Sequence, residues 1–247
     1  MRLLARGSGL GLALAALFAC VTGAAQQGVA TKIVASYQEP LPPPYVSKTS
    51  KASRSASLSS QQCLSEVKRR KLSVARFKGA TVGVGAPVRV SGPIGGVRYI
   101  TPGKKSKYGI LDCRLALALD DLAEVLRRHN VVEVRVDNMY RPRAKLPGRK
   151  KPSQHSYGLA IDLTGFKLAD GTELSVERDF DGRLGEPVCG ESARAQLPAP
   201  AGLLRDLICD VARSELFHHI LTPNHDVAHS NHFHLDIKRG ARQRIIK

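Results

Sequence analysis

Two short stretches hold most of the side chains in this chain that could do chemistry. The first is His155-Ser156-Tyr157-Gly158-Leu159-Ala160-Ile161-Asp162-Leu163-Thr164. From Leu159 onward it alternates, with Leu159, Ile161 and Leu163 on one face and Ala160, Asp162 and Thr164 on the other. The apolar face implies a core behind the strand. In front stands a single carboxylate beside Gly158 and Ala160, small residues that leave room for close approach, with His155 in the loop leading in. The second stretch is His229-Ser230-Asn231-His232-Phe233-His234-Leu235-Asp236, where period-two geometry points His232, His234 and Asp236 to one face. Bringing the two faces together supplies imidazole, carboxylate and imidazole with a fourth position for water, the composition of a catalytic zinc (Zn2+) site. Zinc in such a site lowers the pKa of a bound water toward about 7. Either stretch alone is better explained as structure; the two together favour a metal.

Other candidates carry two readings each. Arg141 precedes Pro142, which extends the chain before it, and either clamps a substrate carboxylate or polarises a carbonyl, or is one of a solvated group with Arg143, Lys145 and Arg149. Asp236 either orients one of the histidines on its face or pairs with Lys238. His218 and His219 adjoin Phe217 at a strand start and read as one buried and one solvated ring, while His225 and Asp226 read as loop residues after Pro223. Ser156 and Tyr157 can reach substrate, but no Ser-His-Asp order stands out.

The elements that must position these groups follow from hydrophobic periodicity. Residues 111–129 repeat apolar side chains at Leu115, Leu119, Leu122, Val125 and Leu126, one face of a helix, and residues 203–216 do the same. Residues 63–77 read as a short helix. Strands are expected at 82–90, 132–136, 217–221 and 232–237. Helices and strands interleave without the Gly-rich loop of a dinucleotide fold, so the expectation is an α+β domain with flanking helices on a small, mainly antiparallel sheet.

The first 25 residues have the layout of a secretory signal: Arg2 and Arg6, an apolar run from Leu10 to Ala19, then Thr22, Gly23, Ala24 and Ala25. That run is shorter than the roughly 20 residues of a membrane-spanning helix, so an exported, periplasmic or extracellular protein with no transmembrane segment is expected. Leu17-Phe18-Ala19-Cys20 partly resembles a lipobox, leaving a lipoprotein anchored through Cys20 as the alternative. Residues 26–62, rich in Ser, Ala, Lys and Pro, read as a flexible tether, so the folded domain is expected at 63–247. Beyond the signal four cysteines remain, which permit three pairings, and order along the chain favours Cys63 with Cys113 and Cys189 with Cys209. The net charge of +17 loses only two with Arg2 and Arg6. In an exported monomer it favours anionic envelope polymers. Nucleic acid is not an expected partner, because no basic patch is interleaved with aromatic residues.

His155 to Asp162 and His232 to His234 resemble the paired HxxxxxxD and HxH motifs of the zinc peptidase group of lysostaphin-type endopeptidases, D-alanyl-D-alanine carboxypeptidases and hedgehog domains. More closely, residues 113–237, especially HSYGLAIDLTGFKLADG and AHSNHFHLDI, resemble the bacterial extensin-like C-terminal domain family over about half the chain. The resemblance implies a hedgehog- or D-Ala-D-Ala-peptidase-like zinc fold with His155, Asp162 and His234 as ligands and His232 beside the reacting water. The carboxypeptidase branch carries a general-base Glu three residues before its last ligand, where this chain has Asn231, which cannot serve. His229, His232 and His234 instead resemble the HxxHxH run of penicillin-insensitive murein endopeptidases, which implies His232 as general base and His229 as a group that steadies the tetrahedral intermediate. Related peptidases also place an arginine much as Arg141 is placed. Extensin-like relatives often carry a cysteine before their conserved arginine; Asn138-Met139-Tyr140 has none, so their disulfide pattern does not carry over.

The implied activity is hydrolysis of a peptide bond in peptidoglycan, in a stem peptide or a cross-link. Its rivals are a non-catalytic envelope-binding protein of the same fold, and a cationic binder of polyanions whose histidines only stabilise the fold.

Overall fold

A computed structural model describes residues 37–103 and 109–247; the signal segment, Cys20 and residues 26–36 lie outside the described residues. At the centre is helix α3 (Cys113–Arg128), started by Asp112, whose side chain accepts the Arg114 N–H at 3.0 Å. Leu115, Leu119, Leu122, Val125 and Leu126 are buried as their spacing predicts, but so are Ala116, Leu117, Ala118 and Ala123. A helix apolar on nearly all sides must be covered on all sides. Helices α1 (Lys51–Ser57), α2 (Ser60–Arg69) and α5 (Ala199–Arg213) and strand β5 (Val131–Val136) supply that cover.

Helices α1 and α2 correct the expectation of a tether up to residue 62. Their serines do not signal disorder: Ser50 caps α1, and Ser59 with Gln62 forms a capping box at the start of α2. Ala52 and Ala56, one turn apart, form the buried face of α1, and Tyr37 is packed in the core with its hydroxyl donating to the Ala195 carbonyl at 3.0 Å. The helix expected at 63–77 ends at Arg69, since Lys71 turns into the left-handed region (φ 54°) and β1 (Val74–Arg76) follows. The strand expected from 82 shrinks to β2 (Pro87–Val90). Strands β3 (Arg98–Ile100) and β4 (Ile110–Asp112) are too short to carry a readable pattern. Two disulfides, Cys63–Cys113 and Cys189–Cys209, tie α2 to α3 and the segment before α5 to that helix, the pairings that chain order favours.

Strands β1, β2 and β4 form a small antiparallel sheet. The larger sheet also contains β6 (Ala160–Leu168), β7 (Glu173–Ser175), β8 (His219–Leu221), β9 (Phe233–Asp236) and β10 (Ile245–Ile246), in the order β10-β8-β9-β6-β5-β3 with β7 also on β6; the short helix α4 (Val176–Asp179) follows β7. The pairs β10–β8 and β3–β5 are parallel, and the others are antiparallel. The first half of β6 pairs with β9, placing Asp162 directly opposite His234 and Ala160 opposite Asp236. The intervening Ile161, Leu163, Phe233 and Leu235 join the hydrophobic core. At Thr164 the β5 register slips by one residue. This bulge reverses the alternation, so that Phe166 as well as Leu163 is buried. The result is a mixed α and β domain, and among the described residues no helix is long and apolar enough to cross a membrane.

Candidate metal centre

Three side chains meet over the β6–β9 pair. Asp162 and His234 come from directly opposed strand positions, and His155 comes from a 3-10 turn (Gln154–Tyr157) that precedes β6. Ser153 caps that turn, and Gly158 ends it with φ 64°. A Cβ at Gly158 would lie 2.8 Å from the Asp112 nitrogen, so only glycine lets the turn pack against the start of α3. His155 Nε2 is 3.1 Å from both Asp162 Oδ1 and His234 Nδ1, and His234 Nδ1 is 2.9 Å from Asp162 Oδ1. Ligands at about 2.0–2.1 Å in a tetrahedron stand about 3.3 Å apart, so this triangle is the right size for one zinc ion. All three residues are buried.

The outer partners of the two rings decide where their protons sit. His155 Nδ1 lies 2.9 Å from the Met139 carbonyl, which can only accept, so Nδ1 carries a proton and Nε2 presents a lone pair. His234 Nε2 lies 3.1 Å from Asp236 Oδ2 and donates to it. Neutral His234 therefore also presents a lone pair, at Nδ1. Two lone pairs and a carboxylate oxygen aimed at one point repel unless a cation lies between them. Without a metal that cation is a proton: burial opposes charge on His234, but hydrogen bonds to Asp162 and Asp236 outweigh it and hold its pKa at about 9. Burial lowers that of His155. Burial would raise the Asp162 carboxyl, yet hydrogen bonds from both histidines hold it well below the usual range.

Asp162 owes its orientation to Asn138, whose Nδ2 donates to Asp162 Oδ2 at 2.9 Å and leaves Oδ1 for the histidines. Asp236, one of whose readings was a pair with Lys238, bridges His234 and His219 instead. His218 is buried and His219 partly buried, and neither reaches the triangle as a ligand.

The proposed catalytic groups sit at the rim. His232 Nε2 is 3.5 Å from Asp162 Oδ1, and its Nδ1 is 2.7 Å from Asn231 Oδ1, which requires the proton on Nδ1 and leaves Nε2 free to accept one. Burial lowers the His232 pKa, so the ring is neutral at pH 7. The His229 ring lies 5.2 Å from that of His232 and 5.8 Å from that of His234, and its Nδ1 is held at 2.6 Å by Asp226. Arg141 is exposed; its backbone N–H donates to the His155 carbonyl at 3.0 Å. Asn138, Met139 and Asp226 are the site residues that sequence reasoning passed over or left as loop.

Among the described residues, three further groupings bring metal-binding residue types together. Cys63 and Cys113 are committed to a disulfide, and His129 joins α3 to Asp206 and Asp210 of α5. His225 and His229 share Asp226 in the loop beside the main site.

The class of protein is fixed by sequence comparison. The family model described as extensin-like protein C-terminus matches residues 61–246, so this chain belongs to the extensin-like C-terminal family. Comparison with curated proteins and with solved structures finds no match.

Proposed function

We propose that this protein is an exported zinc peptidase that hydrolyses peptide bonds in peptidoglycan. The observation that carries the reading is the buried triangle of His155 Nε2, Asp162 Oδ1 and His234 Nδ1, whose outer hydrogen bonds leave three lone pairs facing one point. Zinc bound there supplies Lewis acidity and an acidified water at neutral pH. His232 takes up the proton at Nε2, the nitrogen that its bond to Asn231 leaves unprotonated. The ring of His229, fixed by Asp226 at Nδ1 and 5.8 Å from that of His234, can donate to developing negative charge once its Nε2 also carries a proton. Arg141, with an exposed guanidinium beside the His155 turn, is suited to a substrate carboxylate. Two disulfides favour an oxidising compartment and so support export. The kinship with hedgehog- and D-Ala-D-Ala-peptidase-like folds, and with it the choice of peptidoglycan, rests on the HxxxxxxD and HxH motifs.

The test is metal analysis of the purified domain, paired with mass spectrometry of digested peptidoglycan. One zinc per chain and released peptide fragments are expected, and His234→Ala should lose both. Stoichiometric zinc binding that survives His234→Ala would overturn the assignment.

A further inference from the structure

Between Arg141 and Ser153 the chain leaves the metal centre and returns to it as a narrow finger. Its ten residues, 142–151, read PRAKLPGRKK: five cations and no carboxylate. The finger is an ordered hairpin. Lys145 bridges to Pro152, the Leu146 N–H donates to the Lys151 carbonyl at 2.9 Å, and the Arg149 N–H closes the tip onto the Leu146 carbonyl at 3.0 Å. Gly148 (φ 63°) supplies the left-handed residue that this tight tip needs.

Both roots of the finger hold the turn that carries His155. At one root the Arg141 N–H donates to the His155 carbonyl, and at the other Ser153 caps the turn. Arg143, Lys145, Arg149, Lys150 and Lys151 are all exposed, and among the described residues none of them forms an ion pair. Two arginines of the groove between α1, α2 and α3 contrast with this, since Arg69 and Arg70 are matched by Glu66, Asp120 and Asp121. Five unmatched like charges in one hairpin repel each other, and a polyanion laid along them relieves that repulsion while releasing its counterions.

We infer that residues 142–151 are a docking finger for the carboxylate-bearing peptides of the wall substrate, gripping acidic groups that flank the bond presented to the metal centre. This rests on the peptidase reading for the identity of the polyanion. Guanidinium and ammonium groups both donate hydrogen bonds to carboxylates, the arginines in two-pronged fashion. The finger therefore supplies capture and steering, and the triangle of ligands supplies the chemistry.

The test compares three proteins, all carrying Asp162→Asn so that binding is read without turnover. They are the parent, a finger variant (R143Q, K145Q, R149Q, K150Q, K151Q), and a control that removes five exposed lysines elsewhere (K48Q, K51Q, K68Q, K71Q, K78Q). The probe is purified peptidoglycan freed of phosphate polymers, with and without carbodiimide amidation of its carboxylates. The finger variant should bind at least about tenfold more weakly than the parent at low salt, and its log–log salt slope should be shallower by about three. The control should lose much less, and amidation should weaken the parent to the level of the finger variant. Equal losses in finger variant and control, or parent binding that is indifferent to amidation, would overturn the proposal. So would parent binding that appears only when phosphate polymers are left in place. Finger-dependent binding by a zinc-loaded wild-type protein that releases no fragments would support the docking role while sinking the peptidase reading.

Discussion

Asn138 grips one oxygen of Asp162, donating from Nδ2 to Oδ2 at 2.9 Å, so the carboxylate meets the two histidines through its other oxygen alone. Asn138 is itself buried and donates to Asp137 Oδ2 at 2.7 Å. Partners of this kind fix a ligand's rotamer before a metal arrives, and their loss typically costs 10–100-fold in metal affinity.

Asn138→Ala should therefore weaken zinc binding by about 10–100-fold while leaving the stoichiometry at one ion per chain. Competition with a chromophoric chelator reads this directly. An unchanged affinity would mean that Asp162 is positioned by its strand alone.

His232→Ala separates a ligand from a base. Its Nε2 approaches the triangle only to 3.5 Å from Asp162 Oδ1, so the variant should keep zinc with near wild-type affinity. Peptide hydrolysis should fall by roughly 10²–10⁴-fold, the usual worth of a positioned acid–base group. Loss of the metal itself would make His232 a ligand and remove it as the base.

How much of this was legible before the structure depends on the range of each signal. Alternation inside two strands gives the faces on which Asp162 and His234 stand, a pattern carried by neighbouring residues, and their joint meaning comes from motif resemblance; the register that sets them opposite each other is a long-range pairing that neither stretch carries. Asn138 and Met139 carry no such signal. They act on residues 24 and 16 positions away, and Met139 acts through a carbonyl that every residue type possesses. The segment before Cys63 misled for the opposite reason: its serines and alanines look like a linker by composition, yet two serines are helix caps and two alanines a buried face. Helix α3 was placed correctly from one apolar face, but only the packed helices α1 and α2 explain why its other faces are apolar too.

Zinc binding should expel a proton at neutral pH. Burial disfavours charge on His234, but its hydrogen bonds to Asp162 and Asp236 raise the metal-free pKa to about 9, so at pH 7 the ring is protonated where the proposed zinc would bind. Calorimetry in buffers of different ionisation enthalpy should register about one proton released per ion at pH 7. Apparent affinity should climb roughly tenfold per pH unit up to about 9 and then flatten. The same shift works oppositely on the metal-free fold: a raised histidine pKa stabilises fully below the unfolded value near 6.5 and is lost as pH rises through about 9. Metal-free protein should accordingly weaken between pH 7 and 9, and zinc should abolish that loss.

Acid should weaken the fold through a different histidine. His218 is buried, and its Nδ1 accepts the Lys238 N–H at 2.8 Å, an arrangement open only to the neutral ring. Burial lowers its pKa to about 4, whereas the unfolded chain takes up that proton near 6.5. Between these values the unfolded state binds more protons, so the stability this group contributes at neutral pH is lost as pH falls from about 6.5 toward 4. His218→Gln keeps a polar side chain without a group that titrates in this window. The variant should start from lower stability at pH 7, because the bond to Lys238 is imperfectly replaced, yet lose less between pH 7 and 5 than the parent does. Urea midpoints at the two pH values measure this, and equal losses in both proteins would assign the acid sensitivity elsewhere.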